Sequence, residues 1–213
     1  MFNKRGPLKS ESKLKQLADK HRWAFCLGDI SGKGLPASLL MSNLQAILRR
    51  QILHVNEPSE ILKNVNQQLY HSTSPEKFAT LFLGIINLES HLLGYCCAGH
   101  EYLFLIKSNG SHTPLKSGGV PLAVLDRQEF SGDTIQLEKG DCLFVYSEGI
   151  TDNMDTNDEQ FEEERLKKIL TDSGSEMSNP ENLIEKIFNA SIAFSKGTKH
   201  FDDMTAVVLT RNS

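Results

Sequence analysis

Residues 79–108 read ATLFLGIINLESHLLGYCCAGHEYLFLIKS, and this stretch decides the fold. Its apolar runs are short and are broken by Asn, Ser, Gly or His, which is the length and punctuation of strands rather than of helices. The same texture continues in PLAVL (121–125), DTIQLEKG (133–140) and DCLFVYSEG (141–149), and Ser108-Asn109-Gly110-Ser111 supplies a hairpin turn. The centre of the chain therefore reads as an antiparallel set of strands.

Outward from this block the periodicity changes. Upstream, Trp23-Ala24-Phe25-Cys26-Leu27 forms a strand that ends at Gly28-Asp29. After a glycine-flanked loop, Pro36 suits a first helical turn, and Leu40, Leu44, Ile47, Leu48 and Ile52 recur at the three-and-four spacing of one helix face. A second helix follows Asn56-Glu57-Pro58, with Ile61, Leu62, Val65 and Leu69 facing inward. Downstream, helices are expected over Glu159–Leu170 and from Pro180 to about Ser195, the latter with Leu183, Ile184, Ile187, Phe188 and Ile192 on one stripe. Met204–Leu209 is a closing strand, and residues 1–20 are polar and without pattern. Paired helices on either side of a strand block suit an α+β layered domain, two sheets face to face with helices outside, over residues 21–213.

The 213 residues suffice for one large domain with a substantial core. A net charge of -4 argues against nucleic acid as the main partner, because binding a phosphate backbone calls for a basic face. The basic residues of the N-terminus (Lys4, Arg5, Lys9, Lys13, Lys15) read as a solvated end. Cys26, Cys96, Cys97 and Cys142 lie in apolar segments without CxxC spacing, so buried free thiols are expected. Cys96 and Cys97, as strand neighbours, point to opposite faces and make a poor zinc chelate and a poor disulfide. No secretory leader is evident and no apolar run approaches the roughly 20 residues of a spanning helix, so a soluble cytoplasmic protein without a membrane partner is expected.

Three acidic clusters carry the chemistry: Asp29 in LGDISGKGLPASLLM, Glu148 in LFVYSEGITD, and Asp202 with Asp203 in HFDDMTAVVL. Each stands where a strand meets a loop, so a folded sheet could gather them around hard divalent cations, which prefer oxygen ligands. The loop Gly28–Gly34 is not a phosphate-binding loop, since three residues rather than four separate Gly28 from Gly32-Lys33 and no Ser or Thr follows. Ser31 and Ser147 lack the His and Asp spacing of a serine nucleophile, and His100 reads as a turn residue held by backbone. The acidic run from Asp152 to Glu164 reads as a solvated loop leading into a helix whose first turn favours negative charge.

Six blocks in order, GDISGKGLPASLLM, YCCAGHEYLFLI, GGVPLAVL, LEKGDCLFVYSEGITDN, QFEEERL and HFDDMTAVVL, resemble those of the metal-dependent (type 2C-like, PPM) serine/threonine protein phosphatases of the bacterial sporulation and stress-response branch. The resemblance spans roughly residues 23 to 210. It implies a four-layer α-β-β-α sandwich with two Mn²⁺ or Mg²⁺ ions at one edge. By the same resemblance Asp29 and Asp202 are the catalytic positions and the metal set is Asp29, Ile30 through its carbonyl, Glu148, Asp202 and, behind them, Asp203. The implied substrate is a phosphorylated regulatory protein of the anti-sigma-factor antagonist type, in a partner-switching pathway.

Two positions depart from the family pattern. An upstream Gly-Asp strand motif has no counterpart in FNKRGPLKSESKLKQLADKHR, and Glu148 stands where the family has Asp. The residues thus admit two readings: a phosphatase, or a module of the same fold that binds such a partner without efficient hydrolysis. The upstream departure is also what a shortened chain would show.

Overall fold

A computed structural model describes residues 13–16, 21–100, 102–116, 118–173, 179–195, 198 and 202–212. They fall into two compact units, one drawn from within 9–101 and 116–136, the other from within 102–115 and 137–213. Each has one antiparallel sheet and two helices, the α+β class read from the sequence.

The first unit carries a five-stranded sheet in the order β1-β2-β3-β4-β7. Its strands are β1 (Lys13–Gln16), β2 (Arg22–Ile30), β3 (Ala79–Asn87), β4 (Leu92–Ala98) and β7 (Gly132–Gln136), with helices α1 (Leu35–Gln51) and α2 (Pro58–Ser72). The register sets Cys26 opposite Leu83 and Leu83 opposite Cys96, so the period-two alternation of three strands lines one apolar face. Leu40, Leu44 and Leu48 of α1 and Ile61, Leu62, Val65 and Leu69 of α2 are buried in the same cluster. Each such side chain contributes about 1.5–3 kcal/mol by leaving water. Both helices begin with the expected proline in the first turn. β1 was not legible in advance: KLKQ has no alternation, and it pairs with β2 through backbone groups at the sheet edge.

PLAVL is not a strand. Leu122 makes only an isolated bridge to Ala79, and Ala123 turns to φ 69, which ends any extended run. The reason lies on α2. Asn66, wholly buried, accepts from the Ala123 N–H at 2.9 Å and donates to the carbonyls of Leu125 at 2.8 Å and Asp126 at 3.2 Å. Backbone groups of this loop that a sheet ladder would have paired are satisfied by one side chain instead.

The second unit carries the sheet β6-β5-β8-β9, built from β5 (Leu103–Ile106), β6 (His112–Pro114), β8 (Cys142–Tyr146) and β9 (Ala206–Thr210). The Ser108–Ser111 turn joins β5 to β6 as expected, closed by Lys107 N donating to Ser111 O at 2.8 Å. β8 is central and buried along its whole length. One face of the sheet, with Phe104, Phe144 and Tyr146, shares a core with Leu166 and Leu170 of α3 (Glu162–Asp172) and Leu183 and Ile187 of α4 (Pro180–Ser195). Ile192 leaves the expected stripe and is exposed.

The four cysteines are thiols outside any disulfide, Cys96, Cys97 and Cys142 buried and Cys26 half-buried. Burial, with Cys97 alongside, pushes the Cys96 thiol up to about 12, and burial beside Asp141 does the same to Cys142, so neither is a ready thiolate. Among the described residues no helix is long and apolar enough to cross a membrane.

Candidate metal centre

The sequence-predicted residues divide between the two units. Asp29 is the penultimate residue of β2, opposite Thr80 of β3, and Ile30 is the last, opposite Ala79. The Ile30 side chain is buried in the apolar cluster, which anchors the strand end, while one Asp29 oxygen accepts from the Ile30 N–H at 2.9 Å. The turn that follows is fastened sideways: Ser31 N donates to Phe78 O at 3.0 Å, and Phe78 N donates to Ser31 Oγ at 2.9 Å. Gly32 takes φ 88, a conformation other residues rarely adopt. His100, in the same unit, is 3% exposed in the turn after β4.

In the other unit, Glu148 opens a 3-10 turn (Glu148–Ile150) straight after β8, and its carbonyl accepts from the N–H groups of Thr151 and Asp152, both at 2.9 Å. Ser147 ties this turn to the segment before β9. Its Oγ donates to Asp203 O at 3.0 Å and accepts from Thr205 N at 2.9 Å, and its N–H donates to Thr205 O at 2.9 Å. A Cβ on Gly149 would collide with the Asp203 carbonyl, so the two segments touch backbone to backbone at a position only glycine allows.

This latch sets Glu148 and the pair Asp202-Asp203 in one neighbourhood, from segments more than 50 residues apart in sequence. Asp202 Oδ1 accepts from the Asp203 N–H at 2.9 Å, the same fold-back that Asp29 makes onto Ile30. Asp203 Oδ2 is buried with no hydrogen-bond partner among the described residues. Asp152 is exposed, yet partial desolvation of its carboxyl raises it above the ordinary range, and the charge of Asp202 adds to the rise. An unsatisfied carboxylate oxygen and two mutually repelling carboxylates are what a hard cation would relieve, so the chemistry of these donors suits a divalent ion. Among the described residues, no three His, Cys, Asp or Glu side chains converge closely enough to hold a metal ion by themselves.

Asp152 is exposed, as a solvated run requires, but its coupling to Asp202 is what sequence reasoning missed. The signal was present as the Glu148-x-x-x-Asp152 spacing, which one helical turn brings to the same side. The run is not solvated throughout. Asp155 is buried and accepts from Asn157 N at 2.8 Å and Glu159 N at 3.1 Å. These bonds keep 155–159 in a turn and delay the helix start from Glu159 to Glu162.

The chain is similar to known proteins. The sequence profile described as Stage II sporulation protein E (SpoIIE) matches residues 19–212. The phosphoserine phosphatase RsbU of Bacillus subtilis is 27% identical over 194 residues, covering 91% of this chain and 57% of that protein. Protein IcfG of Synechocystis is 26% identical over 216 residues, covering 89% of this chain and 34% of that protein. The chain thus spans between about a third and somewhat over half of the length of these relatives. Among solved structures, the PP2C phosphatase domain of Bacillus subtilis SpoIIE, with a fragment of its regulatory domain, superposes with a TM-score of 0.79 at 21% identity, covering 95% of this chain and 59% of that one. This likeness shows a shared fold, and the profile match over nearly the whole chain shows the family. The chain belongs to the Stage II sporulation protein E (SpoIIE) family.

Proposed function

We propose that this chain is a metal-dependent serine/threonine phosphoprotein phosphatase acting on a phosphorylated regulatory protein of the anti-sigma-factor antagonist type, in a cytoplasmic partner-switching pathway. The observation that carries the reading is the latched Glu148 turn against Asp202-Asp203, with a buried Asp203 oxygen that lacks a hydrogen-bond partner. Residues 21–213 are the functional unit, and Asp29, the Ile30 carbonyl, Glu148, Asp202 and Asp203 are the residues that would hold Mn²⁺ or Mg²⁺. Two such ions, when bound, would offset the charge of the phosphoryl oxygens and make a water nucleophilic at neutral pH.

The chain's own residues do the rest. The Ser147 latch holds the Asp202-Asp203 backbone against the Glu148 turn, and the N–H of Asp203 orients the Asp202 carboxylate. The Ile30 N–H orients Asp29 in the same way. Fixing carboxylates before binding saves the ordering entropy that a loose site would lose. The test is release of phosphate from candidate phospho-antagonist proteins with Mn²⁺ in excess, run beside a pull-down of the same proteins. Turnover near 1 s⁻¹, an ordinary enzyme rate, is the expected result.

One feature favours the second reading, a partner-binding module without efficient hydrolysis: Glu148 is a methylene longer than the Asp of the family pattern. Binding without turnover in the same assay would select it. Glu148→Asp measures what the longer side chain costs. Restoring the usual reach is expected to raise Mn²⁺ affinity about tenfold, or about 1.4 kcal/mol. A calorimetric titration showing weaker binding in the variant would mean that the turn has adapted to Glu.

A further inference from the structure

We infer that Lys77 is a substrate-positioning residue whose ammonium binds the phosphoryl oxygens of the phosphorylated partner, a role that rests on the phosphatase reading above. The reciprocal Ser31–Phe78 bonds fasten the turn after Asp29 to the segment entering β3. That fastening carries Lys77, the residue before Phe78, across the turn. Its Nζ lies 2.5 Å from the point where a Cβ on Gly32 would stand. The turn needs glycine there for its φ of 88, and the space left by the missing side chain is where the ammonium sits.

Lys77 is half-buried, and among the described residues no carboxylate is paired with it and no acceptor takes a hydrogen bond from its Nζ. The other lysines that lie close to acids behave differently: Lys63 is bound to Glu129, Lys107 to Asp141, and Lys167 to Glu163 and Glu164. An ammonium held over the turn with no carboxylate paired to it is available to an arriving phosphate. Lys33, exposed on the same turn, adds a second positive charge. Helix α1, which follows, has no acidic residue in its first turn and no side-chain cap, so nothing there competes for the lysines. A phosphomonoester dianion beside the Asp29 turn is the anion this arrangement suits, with lysine acting as a point charge. The bland alternative is that the Lys77 stem merely covers Gly32, in which case its loss would change stability and not phosphate binding.

The deciding experiment titrates inorganic phosphate into the Mn²⁺-containing protein by calorimetry, for wild type, Lys77→Met and Lys77→Arg. Methionine keeps the stem and removes the charge. The expected result is phosphate binding weakened about tenfold in Lys77→Met and restored to within about threefold in Lys77→Arg, at the lower end for a contact to a charged group because the site is half open. Mn²⁺ affinity is expected to stay the same, and with p-nitrophenyl phosphate the loss should fall on KM more than on kcat. Equal phosphate affinity in wild type and Lys77→Met would overturn the assignment, as would a loss of Mn²⁺ affinity in the variant or no phosphate binding by wild type. Lack of turnover in wild type, with phosphate binding still dependent on Lys77, would count against the phosphatase reading while supporting the anion site.

Discussion

Asp202→Asn is expected to lower Mn²⁺-dependent phosphoester hydrolysis by at least about 100-fold while leaving the fold intact. The floor comes from outer partners of metal ligands, whose loss alone costs roughly 10- to 100-fold. Asparagine keeps the shape and can still accept from the Asp203 N–H through Oδ1, so the local backbone bond at 2.9 Å survives. What disappears is one negative charge next to Asp152, whose own carboxyl already feels Asp202. Asp29→Asn, which likewise retains the bond to the Ile30 N–H, is expected to behave in the same way. Steady-state rates with Mn²⁺ in excess, beside circular dichroism of both variants, check this. Unchanged rates with unchanged spectra would show that any hydrolysis arises elsewhere.

Asn66→Leu is expected to have the largest effect on stability. The side chain is fully buried and bonds three backbone groups of the loop 123–126, so leucine leaves the Ala123 N–H and the Leu125 and Asp126 carbonyls without it. At about 1–3 kcal/mol for each buried group left unsatisfied, and with partial relaxation of the loop, the loss is about 3 kcal/mol. For a chain of this size that corresponds to a Tm lower by roughly 6–12 °C. Scanning calorimetry of the variant reads the shift directly, and a change within about 1 °C would mean that water replaces the asparagine at no cost.

Most of the secondary structure was legible because its causes are local. The Leu40-Leu44-Leu48 spacing and the proline at the start of α1 needed no partner to be read, and the short apolar run of β8 announced a strand. Where the causes were not local, the reading failed. PLAVL has the composition of a strand and was diverted by a single asparagine 57 residues earlier in the chain. KLKQ has no pattern and became a strand because β2 offers backbone groups to pair with.

The site divides in the same way. The sequence by itself determined which side chains could ligate a hard cation, since Asp29, Glu148, Asp202 and Asp203 announce themselves by type and by standing at strand ends. Only the tertiary structure decided that Glu148 is latched to Asp203 through Ser147, that Asp152 shares the field of Asp202, and that Lys77 rests on the turn beside Asp29. Residue type and local spacing are written into the chain one turn or one pleat at a time. Proximity between segments tens of residues apart arises from backbone hydrogen bonds and burial that exist only once the strands have paired.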